Sequence, residues 1–327
     1  MELALSEEQQ ELAATVRALL AKRADSAAVR AAMVSETGYD EGLWQTLCEQ
    51  IGAAALAVPE VYEGAGFSLF ESMIVLEELG RSLAPSPLLA SVVAAEALLA
   101  GGTDEAKQRL LPRIAAGEVA AYVIPGRPSL FADQATVVVA VTQEGLVELD
   151  PSSSDPMWLP SMDQTSRLGS LDATGGTPIG DGAAAAERAE LVGAVGVAAL
   201  SAGLSARALQ MTVAYSKERV QFGRPIGSFQ ALKHRMADLL VLVEMSRSAS
   251  WAASYALATD AANAAQLAHI AKSYCSDALT RIAAETVQLH GGIAITWEHD
   301  AQLVFKRAHA LAQLFGQPHQ HRALIEL

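Results

Sequence analysis

The stretch RVQFGRPIGSFQALKHRMAD, residues 219–238, gathers side chains that could bind a charged, flat ligand. Gly223, Pro225 and Gly227 cannot continue a helix, so one helix must end near Arg219 and another must begin near Ser228. The cationic and aromatic side chains between these points would therefore lie together at one corner of the fold. Arginine side chains at such a corner can donate to phosphate, and aromatic rings can stack on planar groups.

Two interpretations of this corner are open. In the first, it is an ordinary loop with hydrated arginines, and Phe222 and Phe229 fill the end of a helical bundle, as aromatic side chains at helix ends usually do. In the second, Arg219 and Gln221 present donors to a phosphate or amide-rich ligand, and Phe222 stacks on it. The first interpretation needs no ligand, whereas the second predicts a binding site.

A second glycine corner favours the binding interpretation. In QLHGGIAITWEHDAQLVFKRA, residues 288–308, a helix must end at Gly291 and Gly292. The absence of a Cβ at these positions would let backbone amides come close to a ligand. Two glycine corners in one bundle predict a shared ligand.

The elements that must position these corners can be read from the rest of the chain. In the first 120 residues, Ser6 with Gln9 and Ser68 with Glu71 have the spacing of capping boxes, which mark helix starts. Breaks at VPEVYEGAGFS and SLAPSP divide this region into about five helices. Residues 1–120 are therefore predicted to form a helical domain.

The sequence pattern changes from helical to strand-like after residue 120. The runs VAAYVI, ATVVVAV and GLVEL are typical of short strands, and the turn-rich segment after them indicates a small β-module over residues 121–186. Residues 187–327 then contain four long helical segments, near 187–217, 229–259, 262–290 and 298–326, with short connections. Short connections predict an antiparallel four-helix bundle, so the fold is expected to be mainly α with a small middle β-domain.

Composition excludes several classes of function. The chain has 327 residues, 37 of them acidic and 23 basic, and its formal charge of −14 would repel the phosphate backbone of a nucleic acid. The acidic start and the two cysteines, Cys48 and Cys275, indicate neither a secretory signal nor a disulfide framework, which predicts a cytoplasmic protein. The apolar run at residues 191–206 is too short to span a membrane and is expected to be a bundle helix.

Together, the two corners resemble those of the acyl-CoA dehydrogenase family, and the resemblance extends over almost the whole chain. It includes VPEVYEGAGFSLFESMIVLEELGR, GTDEAKQRLLPRIAAGE and the order of helices, small β-domain and helices. It implies an N-terminal helical domain, a middle β-barrel and a C-terminal four-helix bundle, which family members assemble as a tetramer of two dimers. It also implies FAD as cofactor, an acyl-CoA substrate and an electron-transfer flavoprotein as electron acceptor.

Position by position, the resemblance implies two sets of FAD contacts. The family pattern places Arg219, Gln221, Phe222 and Phe229 on the FAD of one subunit, with Arg219 on the pyrophosphate. The second set would contact the FAD of the neighbouring subunit: Gln288, Gly291 and Gly292.

The catalytic base of the family is missing from both of its usual places. The reaction removes the hydrogen α to a thioester as a proton, which requires a carboxylate near neutral pH. Most members carry this Glu after a Tyr beyond the double-glycine corner, where this chain has Phe315 and Gly316. Others carry it on the first helix of the bundle, where Gly193 aligns, and Glu190 is the nearest acid. No catalytic residue is therefore assigned to this chain.

The β-module also departs from the family, because it is short and lacks the threonine-rich, Gly-Ser-Asp loop that contacts the flavin ring and thioester. The chain resembles the shortened subunits of actinobacterial steroid-degrading acyl-CoA dehydrogenases. These pair with a full-length sister subunit as α2β2 complexes, with FAD between unlike subunits. The resemblance implies that the sister supplies the base, and that the substrate is a bulky acyl-CoA, a steroid with a shortened side chain.

Three other interpretations of the chain are open. The chain could act alone as a homotetramer with Glu190 as an atypical base, or it could be a scaffold that stabilises a sister subunit without touching FAD. The intact RVQFG corner speaks against a scaffold. A metal site is not expected, because ferritin-like bundles need Glu and Glu-x-x-His pairs that the sequence lacks. Most of the later histidines were expected at the surface or at an interface: His290, His299, His309, His319 and His321.

Overall fold

The computed structural model describes residues 4–325 and begins with a helical domain. Both predicted capping boxes are confirmed. The hydroxyl groups of Ser6 and Ser68 accept from backbone N–H groups at the starts of α1 and α4, and the side chains of Gln9 and Glu71 accept from the backbone N–H groups of the two serines. The helices of this domain are α1 Glu7–Arg23, α2 Ser26–Met33, α3 Glu41–Thr46, α4 Leu69–Ser82, α5 Leu88–Gly101 and α6 Asp104–Ala115. A π-helical turn, Leu47–Ile51, extends α3.

A small β-module follows and contains two sheets. Its strands are β1 Ala120–Val123, β2 Ser129–Leu130, β3 Val137–Thr142, β4 Gly145–Leu149, β5 Met157–Leu159, β6 Leu168–Ser170 and β7 Thr177–Gly180. One sheet has the order β1-β3-β4-β7, with β1 and β3 parallel, and the other has the order β2-β6-β5. The three sequence runs predicted as strands correspond to β1, β3 and β4, which are almost entirely buried because this sheet packs on α5, α6 and α7.

The third part is the predicted helical bundle. Its long helices are α7 Gly182–Glu218, α8 Gln230–Ala258 and α9 Ala264–His290, followed by the shorter α10 Ala301–Gln313 and α11 Pro318–Ala323. A two-stranded hairpin, β8 Val220–Gln221 and β9 Arg224–Pro225, joins α7 to α8. The prediction of a mainly α fold with a small β-domain is confirmed, and 63% of the structure is helical.

Two details of the bundle differ from the sequence prediction. Helix α7 begins at Gly182 rather than near residue 187, because the Asp181 side chain caps it by accepting from Ala183 and Ala184 N–H groups. The segment near 298–326 was predicted as one helix, but it is broken at residues 314–317. The predicted N-terminal domain begins at residue 1 and the predicted bundle ends at residue 327, but residues 1–3 and 326–327 lie outside the described residues.

Helix α7 is the central element of the bundle. It is long and apolar enough to cross a membrane by length and composition, yet 83% of its most apolar window is buried inside the protein. It contacts α4, α5, α8, α9 and α10, so its apolar surface is covered by helices. Gly203 allows a close approach, because a Cβ there would stand 1.8 Å from the Glu77 carbonyl oxygen of α4. This is the structure of a core helix, as the sequence indicated.

One buried arginine connects the three parts of the chain. Arg307 of α10 is 4% exposed, and its guanidinium donates to the carbonyl oxygens of Leu83, after α4, and Thr165, in the β-module. It also donates to the Thr165 hydroxyl at 3.0 Å. Burial lowers the pKa of Arg307, and the charge of Asp163 opposes this effect. Because an arginine stays charged even when burial lowers its pKa, the buried Arg307 guanidinium requires these hydrogen-bond acceptors. The same hydrogen bonds hold the β-module against the bundle.

Candidate functional site

The first corner is an exposed hairpin at the end of α7. Arg219 caps the helix, and its backbone N–H donates to the Tyr215 carbonyl. The turn of the hairpin is Phe222 and Gly223, both with positive φ, at 52° and 74°. Positive φ is uncommon for a bulky residue, and it is the turn geometry that directs the Phe222 ring outward. Arg219 and Gln221 are exposed as well, so the donors of this corner face solvent.

The aromatic side chains of this corner do not both fill the bundle end. Phe222 is 92% exposed, so the interpretation in which it plugs the bundle is wrong. Phe229 is half-buried, and its ring contacts the Phe222 ring edge-on with centroids 6.2 Å apart. The Arg224 guanidinium lies 3.9 Å from the Phe229 ring centroid. The corner thus presents one free aromatic ring and one ring already covered by a cation.

The second corner has open space at its glycines. Helix α9 ends at His290, and Gly291 follows with φ of 66°. A Cβ placed on Gly291 or Gly292 would meet no heavy atom within 4 Å in the described structure, so their backbone is accessible to a ligand. Gln288 is exposed beside them. All three residues of the predicted second set therefore lie at one solvent-facing surface.

The two corners are neighbours in the same chain. The Tyr215 ring, one turn before Arg219, stacks on the His290 ring with centroids 4.5 Å apart, and His299 contacts both rings. Helices α7 and α9 pack together along their length, and both end here, which brings the two corners to one end of the bundle. The sequence analysis linked the two corners through a shared ligand but did not predict the stack of Tyr215 on His290, since these residues are some 75 positions apart and no local pattern pairs them.

His290 is a buried group with an unused acceptor. It is 4% exposed, its Nδ1 donates to the Thr286 carbonyl at 2.7 Å, and its Nε2 has no partner within the described chain. Burial lowers the pKa of His290, so the ring is neutral near pH 7 and Nε2 keeps its lone pair. His290 and His321, which is 6% exposed, are the exceptions among the later histidines, most of which were expected at the surface or at an interface.

An exposed apolar surface surrounds the two corners. We call it the corner patch: Val220, Phe222, Ile293, Ile295 and Trp297. Ile295 is 76% exposed and Trp297 is 61% exposed, and the Lys306 ammonium lies 4.4 Å from the Trp297 ring centroid. Several exposed apolar side chains at two neighbouring corners are typical of an interaction site.

These features fit a dinucleotide such as FAD. Arg219 and Gln221 offer exposed donors for a pyrophosphate, and Phe222 offers a free ring for a flat group. The open backbone at Gly291 and Gly292 and the unpartnered Nε2 of His290 offer polar contacts from the second corner. No carboxylate of these residues would repel the phosphates.

A separate cavity lies between α5, the β-module and the break after α10, with a volume of about 330 Å³. Its lining residues are Ala90, Val93, Tyr122, Ile124, Arg127, Pro128, Ser129, Leu130, Leu168, Gln313, Leu314, Phe315 and Gly316. Among these described residues there is no Asp, Glu or His. The cavity therefore holds no group that could remove a proton from carbon near neutral pH.

One of the two positions predicted for the base lines this cavity, and the other lies directly behind the Phe315 ring. Phe315 and Gly316 line it, and the Phe315 ring packs directly on Gly193 of α7. A Cβ on Gly193 would stand 2.2 Å from Phe315 Cδ1, so no larger residue fits at position 193 while Phe315 keeps its place. Glu190 is exposed and is not part of the cavity lining.

The break after α10 is held by buried polar side chains, and we call residues 314–317 the Phe315 loop. His321 Nε2 donates to the Phe315 carbonyl at 2.7 Å, and its Nδ1 lies 3.0 Å from His269 Nδ1. Lys272, which is fully buried, donates to the carbonyl oxygens of Leu311 and Ala312 just before the loop. Burial lowers the pKa of Lys272 to about 8 and also lowers the pKa values of His269 and His321.

Comparison with known proteins agrees with this architecture. Residues 6–118 match the acyl-CoA dehydrogenase N-terminal domain, and residues 180–326 match the acyl-CoA dehydrogenase C-terminal domain. The chain is 46% identical over 325 residues to the acyl-CoA dehydrogenase IpdE2 of Mycolicibacterium smegmatis, which covers 98% of this chain and 99% of that relative. It is 47% identical over 315 residues to IpdE2 of Mycobacterium tuberculosis, with coverage of 96% and 95%.

Among solved structures, the chain is similar to one described as the Tcur3481-Tcur3483 steroid ACAD G363A variant. The TM-score is 0.86 and the sequence identity is 27%, over 98% of this chain and 96% of that chain.

Proposed function

Because this chain belongs to the acyl-CoA dehydrogenase family, we propose that it is the FAD-binding subunit of a heteromeric acyl-CoA dehydrogenase whose catalytic base lies on a partner subunit. Members of the family are FAD-dependent flavoproteins and oxidoreductases that act on acyl-CoA. The reaction would introduce an α,β double bond into a bulky, steroid-derived acyl-CoA with a shortened side chain.

One observation supports the proposal: both positions predicted for the base are glycines, Gly316 lines a cavity without a carboxylate, and Gly193 is covered by the Phe315 ring beside that cavity. Phe315 occupies the space above Gly193, and the described cavity lining supplies no other proton acceptor of suitable pKa. Tyr122 is no substitute, because burial, with a smaller contribution from the charge of Glu190, raises its pKa to about 12. The proton α to the thioester must then go to a group on another chain.

The residues of the two corners would hold the cofactor rather than perform proton transfer. Arg219 donates to the pyrophosphate, Gln221 adds a neutral donor, and Phe222 and Phe229 pack against the flat parts of the cofactor. The second set, Gln288, Gly291 and Gly292, would contact the FAD of the neighbouring subunit. When bound, FAD supplies the acceptor for the β hydrogen that leaves the acyl group as hydride.

The corner patch supports an interface with a full-length sister subunit in an α2β2 complex. A partner that covers these exposed apolar side chains would also exclude water from the Arg219 guanidinium, which strengthens its attraction to phosphate. The similar solved structure is described by two component names and as a steroid ACAD, which supports both an unlike partner and a steroid substrate. Electrons would leave to an electron-transfer flavoprotein, and the complex would work in the cytoplasm.

An autonomous homotetramer with Glu190 as base has less support, because Glu190 is exposed and outside the cavity lining. The interpretation of the chain as a scaffold that does not touch FAD does not explain the exposed hydrogen-bond donors of the first corner, Arg219 and Gln221.

Turnover measurements test the proposal. We expect the isolated chain, supplied with FAD and a steroid-derived acyl-CoA, to show no dye-coupled dehydrogenation, because it has no base. The complex with the sister subunit should be active, and replacing the sister's carboxylate base by its amide should abolish activity. Turnover by the isolated chain that disappears in Glu190→Gln would instead establish the autonomous alternative.

A further inference from the structure

A pair of histidine rings holds the Phe315 loop in place. His321 of α11 is 6% exposed, and its Nε2 donates to the Phe315 carbonyl oxygen at 2.7 Å. On the other side of the same ring, its Nδ1 lies 3.0 Å from Nδ1 of His269 on α9. The loop is therefore tied to α9 through two hydrogen bonds in series, and the function proposed above gives this pair no task.

The geometry of the pair fixes where its protons lie. Because His321 Nε2 carries a hydrogen for the Phe315 carbonyl, a neutral His321 ring has a lone pair on Nδ1. The Nδ1 atom of His269 must then carry the hydrogen that lies between the two rings. A proton added to Nε2 of His269 leaves this bridge intact, whereas a proton added to His321 puts hydrogens on both Nδ1 atoms and breaks it. The bridge therefore requires a neutral His321 ring.

The groups packed around the pair oppose a proton on His321. Lys272 of α9 is fully buried, and its ammonium donates to the carbonyl oxygens of Leu311 and Ala312 just before the loop. Burial lowers the pKa of His321 below its ordinary value of 6.5, and the charges of Lys272 and of a protonated His269 lower it further. The hydrogen bond to the loop carbonyl acts in the opposite direction. A neutral His321 is thus the form that this conformation favours near pH 7.

Two further charges lie near the pair, on α7 and α11. Burial lowers the pKa of His269 as well, while the negative charge of Glu190 on α7 opposes this effect. Arg322 follows His321 on α11 and is paired with Asp277 of α9. The charge of Arg322 is therefore balanced within the contact between α9 and α11.

The loop itself has a conformation from which it can relax. Phe315 and Gly316 have positive φ, at 51° and 92°. A bulky residue keeps such a φ only when its surroundings over-determine it. The His321 ring is one of these constraints, because a Cβ on Gly316 would stand 2.7 Å from its Nε2, and the packing of the Phe315 ring on Gly193 is another. Loss of the first constraint would let Phe315 move away from Gly193.

We propose that His269 and His321 form a proton-operated latch, which holds the Phe315 loop while His321 is neutral and releases it when His321 binds a proton. In the latched form, His321 binds a proton less readily than a free histidine does, so acid shifts the equilibrium toward the released form. The stabilisation by the latch is complete above about pH 6.5 and is lost as the pH falls below that value. Release changes the end wall of the cavity, so the latch makes the shape of this chain sensitive to acid.

Hydrogen–deuterium exchange, measured by mass spectrometry on the full-length chain as purified, tests the latch. Exchange at the histidine C2 position reports the protonation of each ring. Amide exchange over residues 314–317, corrected for the intrinsic effect of pH, reports opening of the loop. We expect His321 to titrate below about pH 6.5. Loop exchange should rise by about 2- to 12-fold between about pH 7.5 and about pH 5, the range for one lost hydrogen bond.

Two variants make this result specific. His321→Gln places an amide nitrogen near the position of Nε2, so the side chain can still donate to the Phe315 carbonyl but cannot bind a proton. The dependence of loop exchange on pH should therefore disappear. His319→Gln is the matched control, because His319 is exposed on the same helix, and it should keep the pH dependence of the wild-type chain. Circular dichroism at both pH values establishes that each protein is folded.

Three results would overturn the proposal: loop exchange of the wild-type chain that does not change with pH, a His321 that titrates above about pH 6.5, or a pH dependence that His321→Gln retains. Loss of the pH dependence in His319→Gln would overturn it as well. The wild-type measurements alone decide the matter if His321→Gln does not fold. Because no measurement uses FAD, acyl-CoA or turnover, failure of the latch and failure of the proposed function are distinguishable.

Discussion

Arg219→Ala should release FAD from the assembled complex and leave the helical bundle folded. The guanidinium is exposed in the single chain and would be partly desolvated between subunits, where it meets two negative phosphates. Truncating one partner of such a hydrogen-bonded charge pair costs about 2–5 kcal/mol, or roughly 30-fold to several thousand-fold in affinity. The fold should survive, because the Arg219 side chain is exposed and surface substitutions change stability little. Flavin absorbance after gel filtration, with circular dichroism of the same fractions, measures both effects.

Two matched variants make this result specific. Lys22→Ala removes an exposed positive charge at the end of α1, outside the corner, and should retain FAD. Phe222→Ala should lower FAD affinity without loss of helix content, because its side chain is 92% exposed. If the Arg219→Ala complex retained its full content of FAD, the assignment of this corner to the FAD pyrophosphate would be refuted. Lost helix content in Phe222→Ala would restore the loop-plug interpretation.

Restoring a carboxylate at either family position should fail to create a dehydrogenase, for different physical reasons. At the buried Gly193, the new Cβ would stand 2.2 Å from the Phe315 ring and a carboxylate would be buried without a partner, so Gly193→Glu should cost more than about 4 kcal/mol and prevent folding. At Gly316, φ is 92° and a Cβ would stand 2.7 Å from His321 Nε2. Gly316→Glu should therefore be destabilised and show no turnover, because positioning matters as much as pKa.

Chemical denaturation and dye-coupled turnover of the isolated variants check this prediction. Gly126→Glu is the matched control, because Gly126 also has positive φ, at 74°, but a Cβ there meets nothing within 4 Å. It reports the cost of the backbone conformation alone, about 1–2 kcal/mol, and Gly316→Glu should cost more. Substantial turnover by isolated Gly316→Glu would mean that the rest of the catalytic machinery is present in this chain.

Local patterns in the sequence predicted much of the architecture. The capping boxes at Ser6 and Ser68 are short-range hydrogen-bond motifs, so the sequence specifies them directly. The strand runs and the glycine corners are equally local, since β-branched residues favour strands and Gly and Pro interrupt helices. The family resemblance then supplied the FAD residues, whose roles stay predictions.

The sequence could not predict features that depend on tertiary contacts. The break after α10 has a local signal, Gly316 and Pro318, that the prediction of one helix overlooked, but the positive φ of Phe315 is imposed by His321 and by packing on Gly193. The burial of His290 and His321 depends on partners far away in the chain, so a polar residue type suggested the surface.

Counting flavin in the purified complex tests the central claim most directly. The chain is co-expressed with its sister subunit, the complex is isolated, and FAD released by denaturation is measured against the concentration of each subunit. If the two corners share FAD with an unlike partner and the ring-facing loop is absent, the α2β2 complex should contain one FAD per unlike pair, which is half occupancy per chain. One tightly bound FAD for every chain in a pure homomer of this subunit would contradict the account.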